Sequence, residues 1–198
     1  MKKLLVSAFA LFLSIGMFAQ ETKSFPTLPE NISVKTLDGK TVQTSTFNND
    51  RLIRQSGAFL IPGCFSIIEN KDGKPYILSF WATWCKPCLR ELNTIKEVYE
   101  DWQEETGVKI IAVSIDDARG ASRVKPLVNG SGWDYEVYID QNQDLKRAMN
   151  VVNVPHTFII NGKGEVVWQH TSFVEGSEEE LIELVRKVMN GEDISESK

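Results

Sequence analysis

Cysteine and histidine are scarce in this chain: 198 residues carry three of the first and two of the second. An odd number of cysteines argues against a scaffold of paired bridges. Cys64 and the two histidines do not supply the second ligand pair that a Cys-x-x-Cys zinc site needs, so a structural metal is also disfavoured. Basic residues are outnumbered, 22 Lys and Arg against 27 Asp and Glu, which disfavours a nucleic-acid partner. No apolar run reaches the ~20 residues of a spanning helix. The longest, Leu4 to Phe18, has no cysteine after it, which argues against a lipid-anchored form. There is no internal repeat.

Met1-Lys2-Lys3 followed by that apolar run has the basic and hydrophobic regions of a secretory signal, with cleavage expected after Ala19. The alternative is an uncleaved N-terminal membrane anchor. Loss of Lys2 and Lys3 with residues 1–19 takes the net charge from −5 to −7. The remaining 20–198 read as one domain, since an apolar fraction of 42% is enough for a single core. The expected location is extracytoplasmic, periplasmic after cleavage, in an oxidising compartment. A monomer is expected.

After an extended lead-in with Pro26 and Pro29, alternating runs on either side of Asp38-Gly39 predict a hairpin over 31–50, with both turn residues at positive φ. Residues 51–72 carry Leu52, Ile53, Phe59, Leu60, Ile61, Cys64, Phe65, Ile67 and Ile68 and interrupt an otherwise regular plan, so they read as an insertion. The core then spans 73–190. It comprises an apolar strand Tyr76–Phe80 and a helix with Leu89, Leu92, Ile95, Val98, Tyr99 and Trp102 at helical spacing up to Gly107. A buried strand Val108–Ile115 follows. Next come a helical stretch in 117–132 interrupted by Pro126, a strand Tyr135–Ile139 and a short helix Asp144–Met149. The chain closes with a hairpin over 157–170 and a helix capped by Ser177 with Glu180.

The chemistry is concentrated in Trp84-Cys85-Lys86-Pro87-Cys88, at the junction of the first core strand with its helix. A thiolate at a helix start is stabilised by free backbone N–H groups and by the helix dipole. Cys85 is therefore placed as nucleophile, and Cys88, one turn further in, as the thiol that resolves a mixed disulfide. Lys86 adds positive charge and Pro87 fixes the first turn. Trp84 is either a docking face or a ring shielding the thiols.

This order of elements, with the Asp38-Gly39 hairpin, Phe80-Trp81-Ala82-Thr83-Trp84-Cys85-Lys86-Pro87-Cys88 and Val154-Pro155-His156-Thr157-Phe158, resembles the thioredoxin fold. In particular it resembles the exported TlpA/ResA-like thiol-disulfide oxidoreductases. The resemblance implies an α/β fold with a mixed central sheet flanked by helices. It makes Pro155 a cis-proline facing the cysteines, with the backbone of Val154 free for an extended substrate; otherwise Pro155 is an ordinary proline opening a strand. Glu91, three residues after Cys88, matches an acid that this branch uses for proton handling and partner choice. Ser79 stands where thioredoxins proper carry a buried Asp. His156, where a small or hydroxylated residue is usual, either tunes the cysteines, meets a partner, or does neither. Cys64 has no counterpart in the family pattern and is either a buried apolar side chain or a third redox thiol.

The resulting expectation is a protein-disulfide reductase that needs no cofactor beyond its Cys85–Cys88 disulfide. It would act on exported clients of the cytochrome c maturation or copper-site assembly type and be recharged by a membrane thiol-electron donor. A disulfide-donating oxidase uses the same parts in reverse. A peroxiredoxin-like peroxidase would need Thr three residues before its cysteine, and Thr83 is two before Cys85. A Cu(I) carrier would use Cys85, Cys88 and His156.

Overall fold

All six residues of β3 (Tyr76–Trp81) are buried, which is why this strand reads as an apolar run broken only by Ser79 and not as an alternating one. The computed structural model describes residues 25–48 and 74–194. The leader expected over 1–19 and the insertion expected over 51–72, with Cys64, lie outside them. Beside β3 run β4 (Lys109–Ser114), parallel, and β6 (His156–Ile160), antiparallel. With β1 (Ser33–Thr36), β2 (Thr41–Gln43), β5 (Glu136–Ile139) and β7 (Val166–Thr171) they form a seven-stranded mixed sheet in the order β2-β1-β5-β4-β3-β6-β7. The fold is thioredoxin-like, and the expected hairpin forms one edge of its sheet.

The helix α1 (Lys86–Thr106) follows β3 directly and ends where Gly107, at φ 67°, supplies the left-handed cap. Its buried stripe is Cys88, Glu91, Leu92, Ile95, Tyr99 and Trp102, while Leu89 and Val98 are only half-buried. The apolar spacing thus found the helix but set its inward face slightly off, because a buried carboxyl occupies one inward position. α4 (Ser177–Met189) packs beside α1, and Arg186 pairs with Glu105 across the two at 2.6 and 2.7 Å. This exposed pair adds little stability. Among the described residues no helix is long and apolar enough to cross a membrane.

Three local expectations are corrected. At the hairpin only Gly39 has positive φ (80°); the Gly39 N–H donates to the Thr36 carbonyl and the Thr36 N–H to the Lys40 carbonyl, so the loop is one residue longer than a two-residue turn. Pro126 does not interrupt a helix: it lies in the first turn of α2 (Val124–Ser131), where a backbone N–H has no helical partner to lose. Ser177 does not cap α4. The cap position is Gly176, and the Glu178 carboxyl reaches back to accept its N–H at 3.0 Å.

Candidate functional site

Cys85 is the cap residue of α1, with extended backbone (φ −90°, ψ 94°), and its Sγ accepts the Cys88 N–H at 3.3 Å. One of the orphan donors at the helix start is therefore aimed at sulfur. Pro87, in the first turn, gives up an N–H that had no helical partner. Cys85 and Cys88 form a disulfide. Cys85 keeps 5% of its surface exposed and Cys88 none. Lys86 is exposed beside them, and Trp84 projects into solvent at 62% exposure.

The second wall comes from the segment entering β6. The Val154–Pro155 peptide bond is cis, and the Val154 carbonyl oxygen lies 3.6 Å from Cys85 Sγ. A reduced Cys85 thiol at that position has an acceptor in reach. The Pro155 carbonyl accepts the Ser172 N–H at 3.0 Å, which ties the segment after β7 to the same wall. Apart from Met189, the exposed large apolar residues among those described are Trp84, Val152 and Val174. Trp84 adjoins Cys85 in sequence, Val152 precedes Val154 by two residues, and Val174 follows the Ser172 tie by two.

One turn along α1 from Cys88 is a polar group closed off from solvent. Ser79 on β3 and Thr157 on β6 are register partners in the antiparallel pair, and both are buried. The Thr157 hydroxyl donates to Glu91 Oε1 at 2.7 Å, and the Ser79 hydroxyl lies 3.5 Å from Oε2. Burial pushes the Glu91 carboxyl up to about 7; the hydroxyl hydrogen bonds from Thr157 and Ser79 pull the other way without cancelling it. The carboxyl that meets Ser79 of β3 is thus supplied by the helix.

His156 is buried, stacked on Phe158 with ring centroids 4.3 Å apart, and its Nε2 is 3.1 Å from Gln169 Oε1. Burial holds its pKa below the usual imidazole value. The structure therefore brings Cys85, Cys88, Val154 and Pro155 together, sets Glu91 on the inward face of α1, and directs His156 toward β7. Thr157 and Asp116 escape sequence reasoning. Thr157 lies in a strand buried at every position, and Asp116 simply follows an apolar strand, so neither carries a mark in the sequence. Among the described residues no three His, Cys, Asp or Glu side chains gather as a metal set.

The AhpC/TSA family model matches residues 65–169. The thiol-disulfide oxidoreductase ResA of Bacillus thuringiensis (strain Al Hakam) is 38% identical over 123 residues, covering 61% of this chain and 68% of the relative. ResA of Halalkalibacterium halodurans is 30% identical over 150 residues, covering 72% and 84%. The solution structure of an uncharacterized thioredoxin-like protein from Porphyromonas gingivalis is 47% identical, with a TM-score of 0.62 over 85% of this chain and 95% of that one. With a Cys-x-x-Cys disulfide at a helix start and these relatives across most of its length, the chain belongs to the AhpC/TSA family and, within it, to the ResA-type thiol-disulfide oxidoreductases.

Proposed function

We propose that this enzyme works outside the cytoplasm as a reductant of disulfides in exported client proteins. The observation that carries the reading is the placement of Cys85 Sγ at the cap of α1, 3.3 Å from the Cys88 N–H and beside the Val154 carbonyl. In the reduced protein the Cys85 thiolate attacks one sulfur of a client disulfide, forming a Cys85–client bond and releasing the other client sulfur as a thiolate that takes up a proton. Cys88, deprotonated, then attacks Cys85 Sγ, forming the Cys85–Cys88 bond and releasing the second client thiol. Two electrons and two protons have passed to the client. A membrane thiol-electron donor restores the dithiol. Cys88 and Glu91, three residues on, share the buried face of α1, and we assign Glu91 to take the Cys88 proton.

Clients of the cytochrome c maturation or copper-site assembly type follow from the family resemblance. The exposed Trp84, next to Cys85 in the chain, and Val152, two residues before Val154, offer such a client apolar side chains. Trp84→Ala is expected to raise KM several-fold for insulin while leaving the rate with a small aromatic disulfide unchanged; equal losses on both would place Trp84 in the chemistry instead.

The test is a trap. Cys88→Ser, expressed with residues 1–19 in place, should accumulate mixed disulfides with exported proteins, and repeating the capture with Cys64→Ser tells whether the third thiol chooses them. Equilibration of the purified dithiol against glutathione fixes direction. A potential above roughly −150 mV, approaching that of a strong oxidant, would make the protein a disulfide donor.

A further inference from the structure

The turn that presents Cys85 is held by a group outside the family motif. Ala82 to Cys85 form a tight turn closed by the Cys85 N–H donating to the Ala82 carbonyl at 3.0 Å, with Thr83 and Trp84 as its central residues. Thr83 is gripped twice by one carboxyl group: its N–H donates to Asp116 Oδ2 at 2.8 Å, and its hydroxyl donates to Asp116 Oδ1 at 2.7 Å. The Ser114 hydroxyl donates to the same Oδ2 at 2.7 Å, and the Asp116 N–H donates back to Ser114 Oγ at 3.1 Å. Asp116 is 1% exposed, so both its oxygens are satisfied by the protein and its position is fixed by the end of β4. The strand end is itself locked to β3, because the Ile115 N–H donates to the Trp81 carbonyl at 2.8 Å.

The space around this carboxyl is shaped for it. A Cβ on Gly120 would lie 2.6 Å from Asp116 Oδ1, so the glycine is required there by close approach and not by an unusual φ. Hydrogen bonds to a buried carboxyl are worth more than neutral ones and are costly to leave unmade. A doubly held Thr83 leaves the turn little freedom, and the next two residues are the exposed Trp84 and the reactive Cys85.

We propose that Asp116 is a positioning residue for thiol-disulfide exchange: through Thr83 it fixes the 82–85 turn and so holds Cys85 Sγ at the cap of α1 and against the Val154 carbonyl. It touches neither client nor sulfur. Its effect is on where Cys85 sits, and misplacement of a reacting atom by an ångström can cost on the order of 100-fold in rate. The inference rests on the reading of Cys85 as the attacking thiol.

The reduced wild-type protein is the control: if it leaves insulin intact, the functional reading falls, whatever Asp116 does. Provided wild type is active, Thr83→Val, which keeps the N–H bond and loses the hydroxyl, is expected to slow insulin reduction about 10-fold and to shift the pH profile of Cys85 alkylation by iodoacetamide. Thr83→Ser should restore most of the rate and the wild-type profile. Asp116→Ala, which removes both accepting oxygens, should slow reduction at least as much as Thr83→Val and move the profile in the same direction. Thermal unfolding of each variant separates the alternatives. If Thr83→Val and Asp116→Ala lower the melting temperature while the rate per folded molecule and the alkylation profile stay at wild type, Asp116 is structural only and the proposal is wrong.

Discussion

A Cys85→Ser protein is expected to lose insulin reduction by more than about 1,000-fold, as removal of a nucleophile does elsewhere, whereas Cys88→Ser reacts once and stops. The asymmetry follows from geometry and not from chemistry, since the two side chains are the same. Cys85 caps α1, receives the Cys88 N–H at 3.3 Å and retains a little exposure; Cys88 lies inside the first turn with none. A client disulfide can reach the first sulfur only. In Cys85→Ser the introduced hydroxyl accepts the same N–H but is not ionised at neutral pH and does not attack sulfur, so the fold survives and the exchange does not. In Cys88→Ser the first bond still forms, and with no resolving thiol the mixed disulfide persists until an outside thiol cleaves it. Mass spectrometry of both reduced variants after exposure to insulin reads the difference: one insulin-chain adduct per Cys88→Ser molecule, none on Cys85→Ser. Adducts on Cys85→Ser would show that another thiol, Cys64 or Cys88, can initiate exchange, and the assignment of the nucleophile would have to change.

The parts of this molecule that are legible in the sequence are those written in local pattern. β3 and β4 announce themselves as nearly continuous apolar runs because they are covered on both faces, and α1 does so through its repeat and its terminal Gly107. The Cys85–Cys88 pair is legible because the helix that activates it starts within the motif. What cannot be read are contacts made by residues distant in sequence. Thr157 meets Glu91 across 66 positions, and Asp116 meets Thr83 across 33; neither separation leaves a periodic trace. The cap of α4 fails for a different reason. Ser177 and Glu180 fit the capping pattern, but the chain reaches the helix through Gly176 at φ 94°, which shifts the start by one residue and gives the reaching role to Glu178. Glu91 shows both sides at once: its spacing from Cys88 puts it near the pair, while its charge makes it look like part of the solvated face.

That buried position makes Glu91 the source of the other large effect, expected in stability as well as in rate. Its carboxyl is raised to about 7 from an ordinary 4.5, chiefly by burial. Below the unfolded value both states are protonated and the folded state carries no penalty. Between 4.5 and 7 the unfolded chain has released the proton and the folded one still holds it, so stability falls as pH rises. Past 7 the folded protein holds a buried carboxylate and the loss is complete. At about 1.36 kcal/mol per unit the whole shift amounts to about 3 kcal/mol. Glu91→Gln cannot ionise, yet its amide oxygen can accept from Thr157 and its NH2 can donate to Ser79. Urea unfolding of the oxidised proteins should therefore find wild type and Glu91→Gln similar near about pH 4.5, and the variant more stable by about 2–3 kcal/mol at about pH 8. The activity should move the opposite way. If ionised Glu91 takes the proton from Cys88, wild-type resolution of the mixed disulfide accelerates through about pH 7, and Glu91→Gln is slow with no inflection there. A variant that gains stability at alkaline pH but keeps the wild-type inflection would leave Glu91 a buried acid whose proton the cysteines do not use, and Cys88 would need another route for its own.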